Sequence, residues 1–185
     1  MQVKGGECKD IQSFIKEKFG EEKYNEWLDN LPEESKKIFS GVILESLNYD
    51  VTYGSHIPLN KMCEMFYSSD KENGAREYGK WSGKRALTTT YKLFLKSEIE
   101  KFVESIPAIY KTYHKDSDIN VNAKLEDNKI VVNVTKFENP DYLKDMSIMG
   151  YFEAALELMG KNVKNAKLTK SLAKNDKCTE FIIEL

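Results

Sequence analysis

Two histidines, three cysteines and one short basic cluster are the residues whose chemistry could extend beyond packing. His56 lies in "YGSHIP", which reads as a loop, and His114 closes a long helical pattern. Neither has a second His, a Cys or a carboxylate at metal-ligand spacing, and HxxxH and HExxH are both absent. A helix C-terminus favours a cationic imidazole, which accounts for His114 without a ligand. Cys8, Cys63 and Cys178 are far apart and form no CxxC pair, a pattern suited to a reducing compartment and not to a disulfide framework or a zinc site. Nucleophilic catalysis needs a thiol or hydroxyl beside a base and an oxyanion donor. No GxSxG occurs, and Cys63 falls on an apolar helical face as a small core residue. Lys80, Lys84 and Arg85 could hold an anion, but Lys80 and Lys84 four apart also describe a solvated helix face; both readings stay open. "GGECKD" and "GAREYGKWSGKR" match neither phosphate-loop pattern. Carboxylates such as Glu33 and Glu34 lie in charged runs, with no apolar flank to raise a pKa. The expectation is a protein that is not an enzyme and carries no metal.

The elements that would position such residues follow from periodicity. Ile11, Phe14, Ile15 and Phe19 share one helical face up to Gly20, Tyr24, Trp27, Leu28 and Leu31 form a second, and Pro32 opens a third short helix. Residues 1–40 thus read as a helical cap. The stretch 42–53 is ambiguous, its β-branched and aromatic end near Tyr49, Val51 and Tyr53 favouring extended chain. Pro58 should start a helix carrying Leu59, Met62, Cys63 and Phe66 on one face. Residues 74–95 predict a longer helix in which Gly79 and Gly83 leave a bare strip of backbone. Each glycine there costs about 1 kcal/mol against alanine, so close packing by another element is implied. A helix through Ile99, Phe102, Val103, Ile106 and Tyr110 should kink or split at Pro107.

The register then changes to a period of two. Val121, Ala123 and Leu125, then Ile130, Val132 and Val134, flank the turn "EDNK" as an antiparallel hairpin. An apolar helix with Ile148, Phe152, Ala155 and Met159 in one stripe follows, and two closing strands near 162–172 and 178–185 end the chain. This order gives an α+β fold: one domain over 1–185, a helical region packed on a twisted, mainly antiparallel sheet of four to five strands.

The totals narrow the partners. Net charge is −2, with 28 basic residues interleaved among 30 acidic ones, so nucleic acid is not an expected partner. No stretch approaches the ~18 apolar residues of a membrane span, and the first residues lack the apolar core of a secretory signal, which makes the cytoplasm the expected location.

The ending adds a family resemblance. Gly150-Tyr151-Phe152, Gly160, Val163 and Cys178-x-x-Phe181-Ile182-Ile183 resemble the C-terminal signature of a superfamily. Its members include the heme nitric-oxide/oxygen-binding (H-NOX) domains, the 4-vinyl reductase small-molecule-binding domains and the TRAPP vesicle-tethering subunits. The chain is also similar to myxobacterial-type members of about this length that lack the heme motif. The resemblance covers residues 40–185 and implies helices against a twisted antiparallel sheet, with a pocket between them. Heme-binding members carry a YxSxR motif on the strand after the first hairpin turn. Here those spacings hold Val132, Val134 and Lys136, and the proximal-histidine position falls near Val103. The departure at all four positions argues against heme by the family's route, and Cys178 alone argues against the extra-cysteine metal site of the 4-vinyl reductase type. The expectation is a heme-independent domain binding a small apolar ligand, its pocket lined by Tyr78, Trp81, Phe102, Ile106, Ile148 and Phe152. The alternatives are an interaction module with a filled core, as a homodimer or with a protein partner, and a degenerate heme relative using His56 or His114.

Overall fold

A computed structural model describes residues 1–89, 98–115 and 118–185. The cap begins with α1 (Gly5–Asp29), bent at Gly20, whose φ of 88° and ψ of 169° interrupt the helix where the periodicity changes face. Pro32 caps α2 (Glu33–Phe39), as its fixed φ and missing N–H allow. The Trp27 indole donates to the Pro58 carbonyl at 3.1 Å, tying α1 to α3 (Ile57–Phe66), and the Tyr24 hydroxyl donates to the Phe39 carbonyl at 2.7 Å, tying α1 to α2. Phe14, Trp27 and Phe39 are fully enclosed, each burial being worth roughly 1.5–3 kcal/mol.

Between α2 and α3 only β2 (Asn48–Asp50) is extended. The chain turns helical again before Pro58, a single π turn over Thr52–His56 running straight into α3. Val51 and Tyr53 are therefore not in a strand, and His56 is not in a loop: it is buried in the π turn. Local β propensity there yields to the packing of Val51, Gly54 and Ser55 against α1.

Two antiparallel sheets form. A small one has the order β2-β1-β3, with β1 (Gln2–Lys4) between β2 and β3 (His114–Lys115). The other has the order β4-β5-β7-β6, built from β4 (Asn120–Glu126), β5 (Lys129–Lys136), β6 (Asn165–Lys170) and β7 (Thr179–Glu184). Asp127 and Asn128, at φ 47° and 62°, make the tight turn of the first hairpin. Ile130, Val132 and Val134 alternate inward on β5, and Thr179, Phe181 and Ile183 do so on β7, so one sheet face is buried.

Two helices cover that face, α5 (Ile99–Tyr113) and α6 (Tyr142–Leu158), and α4 (Lys71–Thr89) packs on α6 from outside. Residues 90–95, expected to extend α4, lie outside the described residues. Pro107 neither splits nor ends α5, which runs unbroken across it; the strongly one-sided apolar face holds the helix against β4. The α4–α6 crossing is the closest helix contact. A Cβ at Gly79 would collide with the Ser147 carbonyl oxygen, and one at Gly150 with that of Arg76, so backbone lies on backbone in both directions. The pair is also clamped electrostatically: Arg76 Nε donates to buried Glu153 at 2.7 Å, and Lys80 reaches Glu153 and Glu157 at 3.4 and 3.2 Å. No described helix is long and apolar enough to cross a membrane.

Candidate functional site

Where α1, α4, α5 and α6 converge they leave a cavity of about 80 Å³. Its apolar wall is supplied by Phe102, Ile109 and Tyr110 of α5 and by Ile148, Tyr151 and Phe152 of α6, with Tyr78 from α4. Phe152 is fixed from behind by an edge-on contact with Phe181 of β7 at 5.7 Å, so the closing hairpin backs the cavity. The bare backbone of Gly79 lets α4 approach closely enough to close the remaining side.

The opposite wall is polar and comes from the first turns of two helices. Glu7 of α1 and Lys144 of α6 form an ion pair of 2.6 Å, with side chains only 7% and 9% exposed. Ser55 donates its hydroxyl to the same Glu7 oxygen. Lys144 is held in turn by Asp141, whose side chain caps α6 by accepting the Lys144 N–H at 2.8 Å and accepts from Asn60 at 2.7 Å. Asp10 lies nearer the surface, accepting from Ser82 at 2.9 Å with Arg85 Nε at 3.4 Å. Burial raises the Asp10 carboxyl to about 6, against the pull of Ser82 and Arg85.

Two further groups surround this wall. Asp145, on the next residue of α6, accepts from Ser171 at 2.6 Å and Thr179 at 3.3 Å, and burial lifts it to about 7. His56 is buried and held below its ordinary pKa by desolvation, and its Nε2 has no hydrogen-bond partner among the described residues. Cys8 and Cys63 are buried thiols pushed up to about 12 by desolvation, which leaves neither reactive.

Of the residues expected from sequence to line a pocket, Tyr78, Phe102, Ile148 and Phe152 meet at this cavity. Ile106 is 1% exposed and packs in the core beside it, away from the cavity wall. Trp81 does not line the cavity: it packs edge-on against Phe14 of α1 at 5.6 Å and is bonded to Glu17 at 3.2 Å, with the Arg85 guanidinium 5.4 Å from its ring centre. The basic cluster is already compensated: Lys80 and Lys84 by Glu157, Arg85 by Asp10 and Glu17. The side chain of His114 lies outside the described residues. No group of three metal-ligating side chains occurs among the described residues.

Glu7, Asp10 and Lys144 were missed. A signal existed for two of them. Glu7 stands four residues before Ile11, and Lys144 four before Ile148, so each continues an apolar stripe by one turn. A charge on a buried stripe needs a partner.

No protein-family model matches the chain, and no curated protein sequence does. Solved structures do match. An H-NOX protein from S. oneidensis in the Fe(II)NO ligation state superposes with a TM-score of 0.74 at 16% identity, over 99% of each chain. The Fe(II) unliganded H-NOX protein from K. algicida gives 0.70 at 14% identity, over 98% of this chain and 96% of that one. Across nearly its whole length, the chain has the fold of H-NOX domains.

Proposed function

We propose that this chain is a non-enzymatic, heme-independent sensor-like domain that holds one compact, mainly apolar molecule in the cavity between α1, α4, α5 and α6. The observation that carries this reading is the cavity's two-sided lining: aromatic and aliphatic on the α5–α6 side, with a buried ion pair opposite. Small-molecule sites have this character, apolar walls with a few placed polar groups.

Heme is a poor fit to these residues. Clefts for larger organic ligands measure roughly 300–1,000 Å³, and this cavity is about 80 Å³. No histidine or cysteine lines it among the described residues. Tyr110 is one of the phenols that line it, and burial holds it well above its ordinary pKa, against the phenolate a metal would require. Val103 is buried in the core, and Val132 and Val134 point into the sheet's covered face. Support for a non-catalytic role is similar: the cavity's carboxylates are engaged by Lys144, Ser55, Ser82 and Arg85.

Thermal unfolding with a panel of compact apolar compounds tests the proposal. A bound ligand at about 100 times its dissociation constant adds about 2.7 kcal/mol, and Ile148→Phe, which fills the cavity, should abolish the effect. If no compound raises the midpoint, the cavity is not a ligand site.

An interaction module is the second reading, favoured by the loop between α2 and β2. Val42 is 86% exposed, and Leu44 and Leu47 are each 51% exposed, an apolar patch of the kind that protein contacts cover. Light scattering of wild type and of the Val42→Ser, Leu44→Ser, Leu47→Ser triple variant would show whether these residues hold copies together.

A further inference from the structure

The polar end of the cavity carries a preference among ligands, and this inference rests on the cavity being a ligand site. An ammonium group has three N–H donors. Lys144 Nζ gives one to Glu7, and among the described residues Glu7 is its only hydrogen-bond acceptor. The side chain is 9% exposed and borders the cavity. A buried donor left unmade is costly, so the remaining N–H groups call for an acceptor from inside the cavity. The Ser147 hydroxyl, on the same helix, donates its proton to the Lys144 carbonyl at 2.8 Å and does not accept from Nζ.

The sign of the surroundings selects among acceptors. Glu7 already neutralises Lys144, and Asp10 adds a second carboxylate to the same wall. An anionic ligand would set a further negative charge beside these two, against an ammonium already paired with Glu7 and a guanidinium, that of Arg85, already engaged by Asp10 and Glu17. A neutral acceptor meets no such repulsion. Size acts in the same direction: a cavity of about 150 Å³ takes a benzene, so about 80 Å³ suits a molecule of a few heavy atoms.

We infer that the cavity is selective for a compact neutral carbonyl compound, a small ketone or aldehyde. Its oxygen accepts from Lys144 and its hydrocarbon part lies against Phe102, Ile148 and Phe152. No bond to Lys144 is formed; the paired ammonium acts as a donor.

The test compares three molecules of nearly one shape: butanone, 2-methylbut-1-ene and propanoate. Each is titrated while the methyl resonances of Ile109 and Ile148 are followed by NMR. Butanone should bind about tenfold or more tighter than the alkene, the effect of one hydrogen bond to a charged donor, and tighter than propanoate. Lys144→Met alone would strand Glu7, and a glutamine at position 7 would bring N–H donors of its own, so the paired variant Glu7→Leu, Lys144→Met is used; it should bind butanone and the alkene equally. Equal binding of both by wild type, a preference that survives in the paired variant, or tighter binding of propanoate would each overturn the inference while leaving the cavity a ligand site. If none of the three shifts the methyl signals of wild type, the ligand-site reading itself fails.

Discussion

Lys144 Nζ lies 2.6 Å from Glu7 Oε1, and the two residues are 137 positions apart in the chain. The contact joins the first turn of α1 to the first turn of α6, so it couples the helical cap to the element that backs the sheet. Removing one partner strands a buried charge, whereas removing both can be nearly neutral. Lys144→Met should therefore destabilise the chain by about 3–5 kcal/mol in urea unfolding. Combining it with Glu7→Gln should recover most of that loss. Additive losses would mean that the two groups are not paired in solution.

Gly79 and Gly6 make a controlled comparison. A methyl at Gly79 meets the Ser147 carbonyl, backbone that cannot swing aside; a methyl at Gly6 meets nothing within 4 Å. Gly79→Ala should force α4 and α6 apart and cost about 1–3 kcal/mol or more. Gly6→Ala should instead be neutral or stabilising by about 0.5–1 kcal/mol, as alanine is the better helix former. Equal melting temperatures for the two variants would contradict the backbone contact.

Burial raises Asp145 from 3.8 to about 7, so the folded state binds a proton that the unfolded chain has released between those values. The stability this confers is present below about pH 4 and is lost as pH rises through 7. Asp145→Asn removes the effect, so its stability relative to wild type should improve between pH 5 and 8 by an amount on the order of a few kcal/mol. His56, lowered by burial, acts with the opposite sign, and Asp10, raised to about 6, with the same sign. Both cancel in the difference between the two proteins. A difference independent of pH would place the Asp145 pKa near its ordinary value.

Phe152 stands between the cavity and Phe181. Phe152→Ala should lose about 3–5 kcal/mol, since it removes both the ring's burial and its aromatic neighbour. The enlarged space should admit bulkier apolar compounds than wild type does, which a thermal-shift panel would reveal. A loss below about 1 kcal/mol would mean that the ring is not packed as described.

Much of this architecture could be read from periodicity. The alternation of Ile130, Val132 and Val134 around the Asp127–Asn128 turn specified a hairpin, and the Ile148–Phe152 stripe specified the helix that covers it. Gly79 and Gly83 announced a close approach, and α6 supplies it. What stayed hidden was set by tertiary contact. β1 is three residues long and exists because β2 and β3 pair with it from far along the chain. His56 looked like a loop residue because a π turn has no strong sequence period. The polar wall was legible only in part: the apolar stripes of α1 and α6 run on to Glu7 and Lys144, but that these two charges, 137 positions apart, pair with each other is set by the fold alone.

Native mass spectrometry of protein purified from heme-supplemented cells tests the central claim most directly. The account predicts the mass of the bare chain, or that mass plus an increment far smaller than a heme. A species heavier by one heme, with a Soret band in the same sample, would contradict it.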